Sequence, residues 1–184
     1  MAGGVERVRL FGMDVDGVLT DGGIYYGDGG LEIKRFHVHD GLGLSLLVAS
    51  GVVPFIITGR TSVAVERRGS ELGVREIHQG IHNKLACLRQ IMAKYGVGAE
   101  RVAYIGDDLL DLEVMAEVGF PIAAANARDE VKGSAKYVTS SVGGSGAVRD
   151  AIEWVLRLNG TWDAIVQAHA RGGTAGGAPG GLGG

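Results

Sequence analysis

The chain has 184 residues, 46% of them apolar, enough to bury one sizeable core in a single domain. A formal net charge of −3 leaves no positive surplus for nucleic acid or an anionic membrane surface. No apolar run approaches the roughly 18 uninterrupted residues of a membrane-spanning helix. The single cysteine, Cys87, excludes an internal disulfide. It sits in the apolar pattern of a helix and reads as a small buried hydrophobe. The first ten residues lack a signal peptide's apolar core, so the cytoplasm is the expected compartment.

Apolar runs alternate with helical patterns along the chain. Residues 7–13 read as the first strand. Residues 21–37 are rich in glycine and carry Ile24, Tyr25, Tyr26, Ile33 and Phe36, the pattern of an inserted β-hairpin. Within it, His37 and His39 flank Val38 in an alternation that reads as strand, with the histidines solvated or facing a substrate. Residues 41–50 look helical. Residues 52–57 form a buried strand with β-branched residues at its centre. Thr61 or Ser62 caps a helix that runs to about Leu72 and stops at Gly73. A short strand covers 74–77. The loop histidines His78 and His82 show no metal-ligand spacing. A helix over 83–95 carries Leu85, Leu88, Ile91 and Met92 at three- to four-residue spacing and ends at Gly96. A strand over 102–105, a helix over 109–118 and a strand over 120–123 follow. The described pattern closes with a short helix over 127–133, a strand stub at Tyr137 and Val138, and a helix over 147–158.

Repeated βα units imply an α/β fold: a Rossmann-like, mostly parallel sheet with helices on both faces. The expected domain covers residues 1–169. Residues 170–184 hold much of an excess that brings glycine to 33 residues. Such a tail cannot bury enough apolar surface to order itself, and reads either as a loose terminus or as an arm docking on a neighbouring subunit.

Parallel α/β sheets put their chemistry beyond the carboxyl ends of the strands. Three polar clusters stand there: Asp14-Val15-Asp16-Gly17, Thr58-Gly59-Arg60 and Gly106-Asp107-Asp108-Leu109-Leu110-Asp111. Lys84 opens a helix. Asp14 and Asp16 are two residues apart, so on a strand they would project together, and two carboxylates that close need a cation or a shared proton. Several carboxylate oxygens suit Mg²⁺. A threonine hydroxyl and a lysine ammonium suit phosphate oxygens. A remaining carboxylate can attack phosphorus and form an aspartyl-phosphate, while its neighbour moves the proton.

The stretch Asp14-Val15-Asp16-Gly17-Val18-Leu19-Thr20-Asp21 resembles the first motif of the haloacid dehalogenase (HAD) phosphatase superfamily. Ile56-Ile57-Thr58-Gly59-Arg60 resembles the second motif, Lys84 the third, and Gly106-Asp107-Asp108 with Asp111 the fourth. All four stand in order. Asp21-Gly22 with the short hairpin, Lys34-Arg35-Phe36, Asp40-Gly41-Leu42-Gly43, Arg68 with Leu72-Gly73, Gln79-Gly80 and residues 143–149 narrow this. They are similar to the 3-deoxy-D-manno-octulosonate (KDO) 8-phosphate phosphatases.

That resemblance implies a HAD-like fold with a small β-hairpin flap and no large cap domain. It also implies a homotetramer in which a neighbour's hairpin helps close each site, acting on a small-molecule sugar phosphate. By it, Asp14 is the nucleophile and a Mg²⁺ ligand. Asp16 is the general acid and base and binds the metal through its main-chain carbonyl. Thr58, Gly59 and Lys84 hold the phosphoryl group, and Asp107 is the third metal ligand. Asp108 and Asp111 support the metal site from behind, although both also suit the first turn of a helix. Arg60 and Arg68 are candidates for substrate carboxylate or phosphate contact, within the chain or across a subunit boundary.

His37-Val38-His39-Asp40-Gly41 departs from the family's usual Asn-Val-Arg-Asp-Gly and removes a fixed bidentate cation. A nonulosonate 9-phosphate or another small phosphate ester is therefore an alternative substrate. A silent assembly subunit is disfavoured because Asp14, Asp16, Thr58, Lys84 and Asp107 are all present. A phosphomutase is disfavoured by the lack of a large cap to exclude water.

Overall fold

The computed structural model describes residues 7–172. The glycine-rich stretch from residue 173 onward, where most of the expected tail falls, lies outside them.

Six strands form one parallel sheet: β1 (Leu10–Met13), β4 (Val53–Ile57), β5 (Glu76–His78), β6 (Val102–Gly106), β7 (Phe120–Ala123) and β8 (Tyr137–Val138). Their spatial order is β5-β4-β1-β6-β7-β8, so β1 is central. A separate antiparallel pair, β2 (Tyr25–Tyr26) and β3 (Glu32–Ile33), makes the expected hairpin. The isolated bridge between Thr20 and Phe36 closes it against the turn that follows β1.

Side-chain alternation on the strands divides the core in two. Phe11, Met13, Ile56, Ala103 and Ile105 face α1 (Val38–Ala49), α2 (Val63–Glu71) and α6 (Ala147–Leu158). Leu10, Phe55, Ile57, Val102 and Tyr104 face α3 (Lys84–Tyr95), α4 (Leu112–Glu117) and α5 (Asp129–Gly133). This is the period-2 rule of strands buried on both sides. Each large side chain so buried contributes about 1.5–3 kcal/mol. Gly12 on β1 is part of that packing, because a Cβ there would run into the rings of Phe55 and Tyr104. Cys87 is buried on α3, and burial pushes its thiol up, as expected of a hydrophobe.

Several boundaries differ from the sequence reading. Residues His37–His39 are not strand: His37 precedes α1 and His39 lies in its first turn. Burial of Asp40, Gly41, Gly43, Leu44 and Leu47 follows helical spacing and overrides the local alternation. The Arg149 N–H donates to Asp40 Oδ1 at 2.8 Å, fixing that first turn against α6.

The expected helix over 109–118 is split into a tight turn over Leu109–Asp111 and then α4. Asp108 Oδ1 accepts from Leu109 N, and Asp111 Oδ2 accepts from Asp107 N and Asp108 N, so the chain is tied inward before a full helix can start. No Ser62 side-chain cap forms on α2; instead the Ser62 N–H donates to Gln79 Oε1 at 2.8 Å. The third sheet strand lies at Glu76–His78, not 74–77. A further helix, α7 (Trp162–Ala170), escaped the pattern reading. It docks by Trp162, whose ring lies under the guanidinium groups of Arg149 and Arg157, 5.4 and 5.2 Å from its centre.

Candidate active site

Register places the polar clusters together. Met13 stands opposite Ile56 on one side and Ile105 on the other, so Asp14, Thr58 and Asp107 all leave the sheet at its carboxyl edge. The Asp14 N–H still donates to Ile105 O at 3.1 Å. The chain then turns sharply through Val15–Leu19, with Asp16 at φ −76°, ψ 114° and Gly17 at φ +89°. Only glycine adopts that φ readily, and a Cβ on Gly17 would collide with the Asp107 carboxylate. Asn126 ties this turn to the glycine-rich loop before α6: its Nδ2 donates to Gly17 O at 3.1 Å, and its Oδ1 accepts from Gly143 N at 2.7 Å.

The centre is a carboxylate cluster around one ammonium. Asp14, Asp107 and Asp111 each bring an oxygen within 4.8 Å of the others. Asn83 caps α3 and delivers Lys84 from that helix's first residue. Lys84 Nζ lies 2.9 Å from Asp14 Oδ2 and 2.8 Å from Asp111 Oδ1. Asp111 is fully enclosed and also accepts from the Tyr104 hydroxyl at 2.8 Å, so its oxygens are occupied by protein donors. Asp107 Oδ1, by contrast, is buried without a partner. A buried carboxylate oxygen left unbonded is costly unless a ligand completes it.

The electrostatics agree. Burial, then the charge of Asp111, pushes Asp14 up to about 6 despite Lys84. Burial, then the charges of Asp14, Asp111 and Asp108, pushes Asp107 up to about 7. Burial alone would lower Lys84, but Asp14 and Asp111 outweigh it and raise it. Three carboxylates face one ammonium, an excess of two negative charges that a hard divalent cation would balance.

Asp16 is held elsewhere. Its Oδ1 pairs with Lys34 Nζ, and Arg60 Nε stands 3.6 Å from its Oδ2. Both cations also reach Glu32 Oε1, Lys34 at 3.2 Å and Arg60 at 3.4 Å. Asp14 and Asp16 therefore do not project side by side, because β1 ends at Met13 and the i, i+2 rule ends with it.

Thr58 is buried beyond β4; its N–H donates to His78 O and its carbonyl accepts from Ile81 N. Gly59 follows it toward Arg60, with only Ile81 O near the place of a Cβ. Asp108 is an exposed cap on Leu109. Arg68 pairs with Glu71 on its own helix and lies over Gly41. The sequence reading assigned no role to Lys34, Glu32, Tyr104 or Asn126. A lysine two residues before Phe36, on the same face of an apolar hairpin, was the available signal for Lys34.

Comparison with known proteins adds kinship to this geometry. Residues 57–152 match a family model of haloacid dehalogenase-like hydrolases. The chain is 43% identical over 158 residues to the 3-deoxy-D-manno-octulosonate 8-phosphate phosphatase KdsC of Escherichia coli K12, covering 86% of this chain and 84% of that one. A crystal structure of the Moraxella catarrhalis phosphatase, in complex with magnesium ion, phosphate ion and KDO, superposes with a TM-score of 0.87 at 43% identity, over 90% of this chain and 95% of that one. The cobalt-bound Haemophilus influenzae phosphatase gives 0.85 at 36% identity, over 91% and 98%. The chain belongs to the 3-deoxy-D-manno-octulosonate 8-phosphate phosphatase family of haloacid dehalogenase-like hydrolases.

Proposed function

We propose that the protein is a Mg²⁺-dependent phosphomonoesterase that hydrolyses KDO 8-phosphate to KDO and phosphate through an aspartyl-phosphate. The observation that carries this is the meeting of Asp14, Asp107 and Lys84 at one sheet edge, with a buried oxygen of Asp107 unpartnered. Asp14, Asp107 and the main-chain carbonyl of Asp16 would hold the cation. When bound, Mg²⁺ supplies the positive charge that offsets repulsion between an attacking carboxylate and the phosphoryl oxygens.

The residues divide the remaining work. An Asp14 oxygen attacks phosphorus as the bond to the sugar oxygen breaks, and Asp16 gives its proton to that oxygen. Water then loses a proton to Asp16 and attacks phosphorus, releasing phosphate and restoring Asp14. Thr58, Gly59 and Lys84 hold the phosphoryl group. Asp111 fixes Lys84, and Asp108 fixes the turn that carries Asp107.

The assembly is a homotetramer. Its support here is the hairpin, whose Ile24, Tyr25, Tyr26, Leu31 and Ile33 are all exposed in the single chain. Arg60 and Arg68 are substrate contacts, Arg68 reaching a neighbour's site. On this reading the reaction is cytoplasmic; among the described residues no helix is long and apolar enough to cross a membrane.

A panel of phosphorylated sugar acids, assayed with Mg²⁺ and with a chelator, tests this reading. KDO 8-phosphate should exceed a nonulosonate 9-phosphate by about tenfold or more in kcat/KM, and chelation should abolish turnover. A preference for the nonulosonate ester would change the substrate; failure to hydrolyse any of them would overturn the reading.

A further inference from the structure

Lys34 is the least accessible charge on the hairpin, its side chain 1% exposed. It lies between β3 and the Thr20–Phe36 bridge, where the hairpin returns to the turn carrying Asp16. Burying an ammonium is costly, and methionine would avoid that cost. What the ammonium does gain is Asp16 Oδ1, with Glu32 Oε1 3.2 Å away as a second anchor. Arg60 faces the same two acids more loosely, 3.6 and 3.4 Å away and 42% exposed. Lys34 therefore grips Asp16 Oδ1 and leaves Oδ2, faced only by the more exposed Arg60 at 3.6 Å, as the oxygen to meet a leaving group.

We propose that Lys34, anchored by Glu32, is a positioning residue that orients Asp16 for proton transfer to the leaving alcohol. This rests on the reading of Asp16 as the general acid. In the step concerned, the phosphorus–oxygen bond of the ester breaks, its electron pair stays on the departing oxygen, and that oxygen takes the Asp16 proton while Asp14 bonds to phosphorus. Lys34 exchanges nothing. Its effect is therefore largest where the departing oxygen needs a proton and smallest where it leaves readily as an anion.

Leaving-group dependence reads this directly. kcat/KM is measured for KDO 8-phosphate, phenyl phosphate and p-nitrophenyl phosphate, since kcat/KM extends only through departure of the alcohol or phenol. Asp16→Asn should lose about 10²-fold or more on the first two and far less on p-nitrophenyl phosphate. Lys34→Met should follow the same order, with a loss about tenfold greater on phenyl than on p-nitrophenyl phosphate. Lys34→Arg should recover most of it.

Phenyl phosphate separates this from lost recognition of the sugar acid. An equal loss on all three substrates, or none, overturns the proposal. Should Lys34→Met not fold, Glu32→Gln carries the test through a smaller loss in the same order, and a uniform or absent loss again overturns it. If Asp16→Asn shows no leaving-group order, the acid assignment fails first and the Lys34 role falls with it.

Discussion

Asp14 and Asp16 stand two residues apart, yet two different parts of the molecule hold them. Asp14 belongs to the sheet. Its N–H completes the ladder to Ile105, Lys84 reaches it from α3, and Asp111, fully buried, braces Lys84. Asp16, in the turn after β1, is held from the hairpin by Lys34, while Arg60 faces it from the loop beyond β4. That hairpin is two strands of two residues each, with Tyr26 73% exposed. An isolated pair so short has little stability of its own. The proposed nucleophile is thus built into the core, whereas the proposed proton carrier depends on an insertion that has almost none. Damage to the first half should reach stability and every substrate; damage to the second should sort substrates by leaving group.

The largest effect expected is at Asp14. Asp14→Asn should cost at least about 10⁴-fold in kcat on every phosphate ester. The fold should survive, because asparagine keeps an acceptor for the Val15 N–H, 2.7 Å away. Retained turnover of p-nitrophenyl phosphate would remove Asp14 from the chemistry and erase the comparison.

Lys84→Met should follow, leaving Asp14 and Asp111 buried without their ammonium. A loss of about 3–5 kcal/mol in chemical denaturation is expected, together with roughly 10²-fold in kcat. A change below about 1 kcal/mol would show that the core half is no stiffer than the hairpin half.

pH offers a milder probe. In metal-free protein the folded-state values of about 6 for Asp14 and about 7 for Asp107 stand above the ordinary carboxylate range. Between the unfolded and folded values the folded chain binds more protons, so this contribution is present at the acid end and is lost as pH rises through about 6 to 7. The thermal midpoint of chelated protein should therefore fall from about pH 5 to about pH 7.5, and Mg²⁺ should reverse the fall. The slope should flatten in Asp107→Asn; an unchanged slope there would assign it elsewhere.

Arg68→Ala should be the smallest change in stability, about 0.3–0.5 kcal/mol, since its ion pair is an exposed one within α2. A rise of about tenfold in KM with kcat kept would set Arg68 in a neighbouring subunit's site, and an unchanged KM would leave it a surface residue.

Much of this was legible locally. Strands Phe120–Ala123 and Tyr137–Val138 and helix Ala147–Leu158 lie where their apolar periods put them. The polar clusters after Met13, Ile57 and Ile105 announced a common edge, because parallel strands in one sheet end on the same side. The His37-Val38-His39 alternation misled, since three residues fit either period and only packing of α1 on α6 chose the helix. Trp162–Ala170 was missed because its anchors, Arg149 and Arg157, belong to another helix.

The α/β order, the hairpin insertion and the set of groups at the strand ends follow from short-range periods and from residue chemistry. The division of the two carboxylates of Asp14-Val15-Asp16 between Lys84 and Lys34 comes from the folded packing alone. The pairing of Lys34 with Asp16 spans 18 residues and that of Lys84 with Asp111 spans 27, and a contact at such separation has no local period to announce it.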